Sequence, residues 1–412
     1  MVKRKKTVVF TLFLFITLLL TAVNAAGEVF EFKHIEGAQY RILSVVDEAV
    51  FVNGILSHRA EILNRIALVN TGVTDGKGAY SAVFQTSERL VHDFLYDIHT
   101  PAGYVWSSEY ESEFERGRLG HLSIDQRFFM PVVRNVPVFP DKSLSVGERW
   151  YAPAHEVHDF RAAFGITEPY IIPFNAFYEY LGERQWKGTS YPAFSVNYNI
   201  ESRPSPVRGR LYPVRISGTF SQLVYWNREI GKEAAYEEEF RITFTMSDGN
   251  RYEFRGTAYA ELIESELMNK EELVTNIIEE IERLEIPNVR VAAVDEGISI
   301  SLENIQFYAD TNIMLPGEME KLEVIAEILR RYPDRDILVS GHAADLGDPK
   351  DYLMRLSQDR ARTVADFLLS RNVRAPDRIV IRGYGAERPI ADNRTPEGQQ
   401  RNRRVEITLL EN

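Results

Sequence analysis

The segment "GHAADLGDPKDYLMRLSQDRARTV" (341–364) combines a permanent charge with an apolar helical stripe. If a helix begins at about Asp351 and continues past residue 364, apolar side chains recur at helical spacing along one face. They are Leu353, Leu356, Val364, Phe367 and Leu368. Arg360 falls inside that stripe. Because an arginine cannot lose its charge, burying it unpaired costs several kcal/mol. The pattern therefore predicts that Arg360 binds an anion, either a carboxylate of the protein or one belonging to a ligand.

Other residues of catalytic types do not form a recognisable active site. The sequence "HEVHD" places His155 and His158 three residues apart, which is not the zinc pattern HExxH, and we interpret it as a surface loop. Acidic pairs are too numerous to indicate a glycosidase dyad, and the sequence has no Walker or nucleophile-elbow motif. The absence of cysteine excludes thiolate chemistry, disulfides and a lipid-modified N-terminal cysteine. We expect no enzymatic activity, no cofactor and no bound metal.

Residues 28 to about 264 alternate apolar and polar side chains and are rich in aromatic and β-branched residues, as half-buried strands are. Turn signals separate the runs, among them Asp248-Gly249, which favours a tight hairpin. A proline-bearing segment at 135–153 divides the region. We therefore predict an antiparallel all-β part with two sandwich-like or barrel-like domains, at 27–135 and 136–264. One large sandwich or barrel would give a similar pattern.

A helix is predicted at 265–286, where apolar residues recur at helical spacing and the opposite face is acidic. We interpret it as a bridging helix that joins the β part to the rest of the chain. From 289 onward, strand and helix patterns alternate. This order predicts a compact mixed α/β domain at 287–412, with its helices packed on one face of a sheet. The predicted fold class is α+β, with several domains.

The N-terminus has the layout of a secretory signal peptide at 1–26. A basic stretch precedes an apolar run from Val8 to Leu20, and small residues follow near the predicted cleavage point at Ala25 or Ala26. An uncleaved anchor is the alternative, although the run is short for a bilayer span. Since no later segment approaches a span, we expect an exported, periplasmic protein. The net charge of −12 argues against nucleic acid as a partner.

The C-terminal region carries the motif "LSQDRARTVADFLLSRNV" and the long block "GYGAERPIADNRTPEGQQRNRRVEI". With these motifs, residues from about 298 to 410 resemble the OmpA-like C-terminal domain family, which includes outer-membrane protein A, peptidoglycan-associated lipoprotein and the flagellar stator protein MotB. The resemblance covers somewhat over a quarter of the chain. It implies a mixed α/β sandwich that binds peptidoglycan non-covalently, through the diaminopimelate of the stem peptide.

The resemblance also implies a two-part ligand site. In the family, an aspartate after a strand pairs with the diaminopimelate ammonium, and an arginine on the next helix grips its carboxylate, as a zwitterion requires. Arg360 matches the arginine. Counted from Gly341, the aspartate position holds Ala344; counted back from Arg360, it holds Asp345. Arg403 also matches the family, and we expect it on the final strand, either supporting the site or, by preference, in a structural ion pair.

Two functions from different classes fit these residues. The first is a non-enzymatic envelope protein at the outer membrane or cell wall, whose OmpA-like domain associates with peptidoglycan. Its β part would then dock an outer-membrane or periplasmic protein. The alternative is an interaction scaffold whose OmpA-like domain has lost diaminopimelate binding because Ala344 replaces the usual aspartate. In that case Arg360 pairs internally, with Asp345 or Asp310 as the candidate carboxylate.

Overall fold

A computed structural model describes the chain over 27–93, 103–206, 211–263, 268–303, 307 and 312–411. The predicted signal peptide lies outside these residues. The described chain is mostly β-structure with several helices, as the sequence predicts. Within these ranges, no helix combines the length and the apolar character needed to cross a bilayer.

The first part of the described chain is built from strands β1 to β12. Their bounds are Gln39–Val52 (β1), Ile55–Thr74 (β2), Lys77–Asp93 (β3), Tyr104–Arg116 (β4), Leu122–Ile124 (β5), Val133–Arg134 (β6), Arg149–His158 (β7), Tyr170–Trp186 (β8), Thr189–Ser202 (β9), Pro213–Asn227 (β10), Lys232–Met246 (β11) and Arg251–Ile263 (β12). A single helical turn, Arg161–Phe164 (α1), follows β7.

The antiparallel pairing of these strands is continuous from β5 through β4, β3, β2, β1, β12, β11, β10, β9 and β8 to β7, with β6 at the far edge. The predicted segments 27–135 and 136–264 meet where β1 pairs with β12, from Arg41↔Ile263 to Val52↔Tyr252. Strand pairing therefore crosses the predicted boundary. We propose one β unit over 27–263 in place of two β domains.

Alternation along the strands places one face of this β unit in a shared core. On β8, every second residue from Ile172 to Tyr180 is buried, whereas the residues between them are exposed or half-exposed. On β7 the same alternation buries Glu156, whose carboxylate lies 2.8 Å from His158 Nε2. The prediction of a surface loop at "HEVHD" is wrong, because polar residues with their own partners can occupy a strand.

The second part of the described chain is a mixed α/β region. Its elements are Lys270–Arg283 (α2), Val289–Val294 (β13), Gly297–Glu303 (β14), Pro316–Arg330 (α3), Ile337–His342 (β15), Lys350–Ser370 (α4), Ile379–Gly383 (β16), Pro396–Asn402 (α5) and Arg404–Leu410 (β17). The sheet order is β13-β14-β17-β15-β16, in which β15 and β16 are parallel and the other pairs are antiparallel.

Helix α2 is the observed form of the predicted 265–286 helix. It begins after Asn269, whose side chain accepts a hydrogen bond from the Glu272 N–H, as a good N-cap does. Ile277 and Ile281 on its apolar face pack into the same core as α3, α4 and the C-terminal sheet. Helix α2 therefore packs as part of the α/β region as well as joining it to the β unit.

The face of the C-terminal sheet that points away from this helix-covered core packs against the β unit. Leu338, Val380 and Leu410 lie on that face and form a buried cluster with Leu63 of β2 and Tyr104 of β4. Burying such side chains stabilises an interface by about 1.5–3 kcal/mol each. The sheet is thus covered by helices on one side and by the outer face of the β unit on the other.

Backbone and charged contacts reinforce this junction. Strand β16 pairs in parallel with β4 at Val380↔Tyr104, so the two sheets are joined at their edges. The Asp336 carboxylate forms ion pairs with Arg65 of the β unit and with Arg378 of its own domain. Because Asp336 is largely buried, solvent screens these ion pairs less than it screens surface pairs. Their directional hydrogen bonds favour one relative orientation of the two sheets.

Candidate functional site

Helix α4 carries the predicted arginine and lies directly on the sheet. A Cβ atom at Gly341 would sit 1.9 Å from the Ser357 carbonyl oxygen, so glycine is required for this close approach. Ser357 is buried, donates to the Met354 carbonyl and accepts from the Gly385 N–H, both at 2.8 Å. These contacts fix the height and rotation of α4 over the strand that leads into the site.

Arg360 lies at the border of the buried face of α4. The most buried residues of the helix run through Ser357, Ala361, Val364 and Leu368, and Arg360 beside them is half-buried. Its guanidinium carbon lies 5.1 Å from the centre of the Phe307 ring, within cation–π range. Asp310, one carboxylate considered for Arg360, lies outside the described residues.

The two candidates for the aspartate position point in different directions. Ala344 is buried just beyond the end of β15. Asp345 is exposed, and its carboxylate accepts the Gly347 N–H at 3.0 Å within its own loop. Among the residues that the structure describes, no ion pair joins Asp345 to Arg360. A methyl group therefore fills the inward position, and the carboxylate beside it stabilises a turn.

Asn402 organises the loop next to this segment, a role that its match to the family motif did not predict. Its buried amide accepts the Ile390 and Ala391 N–H groups at 2.8 and 3.0 Å, and donates to the Ala391 carbonyl and to Asn393 Oδ1, each at 2.8 Å. Asn393 Oδ1 in turn accepts the Asp345 N–H at 3.2 Å. The presence of Asn402 in the family-like block was the available signal.

The structure separates the roles of the two adjacent arginines. Arg403 lies at the end of α5, one residue before the strand on which it was expected, and is half-buried. In the described part of the chain, the ion pair is made by Arg404, which is buried and donates to Glu406 at 2.7 Å and to the Arg388 carbonyl at 3.1 Å. On β17, the alternate residues Val405, Ile407 and Leu409 enter the core.

His342 is a buried titratable group close to the candidate site. Its ring stacks on Tyr384 with centroids 5.1 Å apart, and Nε2 lies 3.5 Å from the Glu406 carboxylate. Burial lowers the pKa of His342, whereas the hydrogen bond to the Glu406 carboxylate acts in the opposite direction. Nothing in the described ranges groups three or more histidine or acidic side chains as a metal site would require.

A mixed sheet covered by helices on one face, with an arginine beside a strand–helix loop, defines a small α/β domain. Residues 306–403 match the OmpA family, and this part of the chain is an OmpA family domain. The resemblance inferred from the sequence motifs is thereby confirmed.

Three relatives illustrate the match. Outer membrane porin F of Pseudomonas fluorescens is 36% identical over 118 residues, which are 29% of this chain and 35% of that protein. Probable lipoprotein YiaD of Escherichia coli is 41% identical over 106 residues, 26% of this chain and 48% of that protein. Peptidoglycan-binding protein ArfA of Mycobacterium tuberculosis is 39% identical over 105 residues, 26% of this chain and 32% of that protein. The chain thus spans a third to a half of these relatives.

Proposed function

We propose that this chain is a non-enzymatic, periplasmic cell-envelope protein that associates with peptidoglycan through its OmpA family domain. The observation that carries the proposal is Arg360 on the border of the buried face of α4. Its sequence motif resembles the one that carries the family's ligand-binding arginine. A relative named for peptidoglycan binding supports it. The β unit, packed on the same domain, is the part that would hold a second envelope component.

Arg360 suits the carboxylate of a stem-peptide diaminopimelate, because a guanidinium can donate two parallel hydrogen bonds to it. The ammonium of the same ligand would find weaker acceptors in the protein. The Ala344 methyl cannot accept a hydrogen bond, and the Asp345 carboxylate is engaged with Gly347. Leaving that ammonium desolvated and unpaired would cost about 2–5 kcal/mol. We therefore propose recognition centred on the ligand carboxylate, with lower affinity than a complete zwitterion site provides.

Co-sedimentation of the whole mature chain with purified, diaminopimelate-containing sacculi tests the proposal. Arg360→Ala is expected to weaken binding by at least about tenfold, since hydrogen bonds to a charged group contribute about 1.5–3 kcal/mol. Arg355→Ala, which removes the same charge from the exposed face of α4, is the matched control and should bind like wild type. Equal binding by the two variants would discard the role of Arg360.

A second candidate function, an interaction scaffold without wall binding, is favoured by the inward Ala344 and the outward Asp345. It predicts that the folded wild-type chain stays in the supernatant. It also predicts that titration with soluble diaminopimelate gives the same weak signal for wild type and for Arg360→Ala. A clear difference between those two titrations would rule it out.

A further inference from the structure

The β unit has an open cavity on the face opposite to the OmpA family domain. Strands β1 to β4 form one side of the cavity, β10 to β12 form another, and the segment 130–137 lies across it. Its volume of about 420 Å³ lies within the range of small-molecule sites, about 300–1,000 Å³. The junction with the OmpA family domain uses the outer face of the same strands, so the cavity is independent of the wall-binding site.

Much of the cavity wall is apolar. Ile42, Ile66, Leu68 and Leu262 are on the inner face of the sheet, yet each is half-buried, because their side chains border the cavity. Large aliphatic side chains on an inner face normally pack fully against a partner. Their arrangement here leaves a surface that a hydrocarbon chain could cover.

Lys232 lines this cavity and is 8% exposed. Its ammonium donates to Tyr80 Oη and to the Lys33 carbonyl, both at 3.0 Å, and lies 4.6 Å from the centre of the Tyr40 ring. An ammonium has three N–H donors, and two of them are used in these hydrogen bonds. Within the described residues, no carboxylate lies at ion-pair distance from Lys232.

The other charged groups that line the cavity have partners of their own or are buried. Arg116 pairs with Glu233 at 3.6 Å and Glu261 pairs with Lys187, whereas burial raises the pKa of Glu238 to about 7. Burial, together with Arg116, lowers the pKa of Lys232 to about 8, so the amine still carries its proton at pH 7. A buried cation held by tyrosines, in a cavity whose wall is largely apolar, is costly for stability alone and suited to an anionic ligand.

We propose that this cavity binds a single-chain anionic amphiphile, with its head group on Lys232 and its acyl chain along the apolar wall. A lysine ammonium is a compact point charge that can donate hydrogen bonds to a carboxylate or to a phosphate. The site would make the β unit a carrier or sensor of such a molecule, in addition to any role in docking.

Calorimetric titration of the whole mature chain at pH 7 with C12 ligands tests the proposal. Dodecanoate or dodecyl phosphate is expected to bind at one site per chain, at least tenfold more tightly than dodecanol, and dodecyltrimethylammonium is expected not to bind. Comparing the two anions identifies the head group. Failure of both anions to bind, or equal binding of dodecanol, would overturn the proposal from the wild-type protein alone.

Variants locate the site. Lys232→Met should weaken binding of the anion at least tenfold and change dodecanol binding by less than threefold, whereas Ile66→Trp, which fills the cavity, should weaken both. Lys77→Met removes an exposed lysine at the start of β3 and should change neither. Unchanged anion binding by folded Lys232→Met would refute the assignment. If Lys232→Met fails to fold, Lys232→Arg should retain the preference for anions, and loss of that preference would count against it.

Discussion

The buried amine of Lys232 makes a quantitative prediction about how stability depends on pH. Burial is the largest cause that lowers its pKa from 10.5 to about 8, and the nearby Arg116 adds to the effect. Between these two values, the unfolded chain binds more protons at this residue than the folded chain does. Stability must therefore rise with pH across this window, because raising the pH removes the penalty of the buried charge.

The magnitude follows from the size of the shift. At 1.36 kcal/mol per pKa unit, charging Lys232 disfavours the folded state by about 3 kcal/mol at pH 7 and by about 1 kcal/mol at pH 10. Lys232→Met has no such group. The free energy of unfolding of wild type minus that of Lys232→Met should consequently become more positive by about 2–3 kcal/mol between pH 7 and pH 10.

Urea unfolding followed by tryptophan fluorescence measures this difference. The chain has 4 tryptophans, and Trp150 and Trp226 lie in the core of the β unit, so the signal reports the part that contains Lys232. Lys77→Met serves as the control for general effects of pH. A difference between wild type and Lys232→Met that stays constant within about 0.5 kcal/mol from pH 7 to 10 would refute the reasoning.

Three further predictions concern packing and can be checked by denaturant unfolding. Gly341→Ala should destabilise by more than about 3 kcal/mol, because the added methyl collides with backbone, whereas Gly317→Ala, with no atom near its Cβ, should be neutral or slightly stabilising. Asn402→Ala should cost about 1–3 kcal/mol, because the Ile390 and Ala391 N–H groups lose their acceptor, which hydrogen exchange at 390–393 would confirm. Leu63→Ala should cost about 2–4 kcal/mol at the junction, against less than about 0.5 for exposed Ile55→Ala.

Local signals in the sequence were sufficient for several elements. Asp248-Gly249 lies in the turn between β11 and β12, as its hairpin chemistry predicted. The 265–286 pattern produced α2, and the spacing around Arg360 correctly put the arginine next to the apolar face of α4. In each case neighbouring residues decide the conformation, so a short window contains the necessary information.

Other features depend on distant partners and could not be read from such windows. Alternation shows which residues of β1 face inward, but it does not select β12, over 200 residues away, as a neighbour. In the sequence, Lys232 lies in the polar segment "NREIGKE" (227–233), which is typical of a turn, and its burial depends on Tyr40 and Tyr80 from other strands. Likewise, whether Ala344 or Asp345 turned inward depended on how the loop after β15 accommodated one extra residue.

The shared surface between the two parts has a practical consequence for protein engineering. A fragment that begins at residue 287 would expose Leu338, Val380 and Leu410 to solvent. Its strand β16 would also lose the pairing with β4. Unpaired strand edges and contiguous apolar patches promote aggregation. We therefore expect the OmpA family domain to be poorly soluble when it is produced without the β unit. Replacing those three side chains with polar residues is the rational way to prepare it alone.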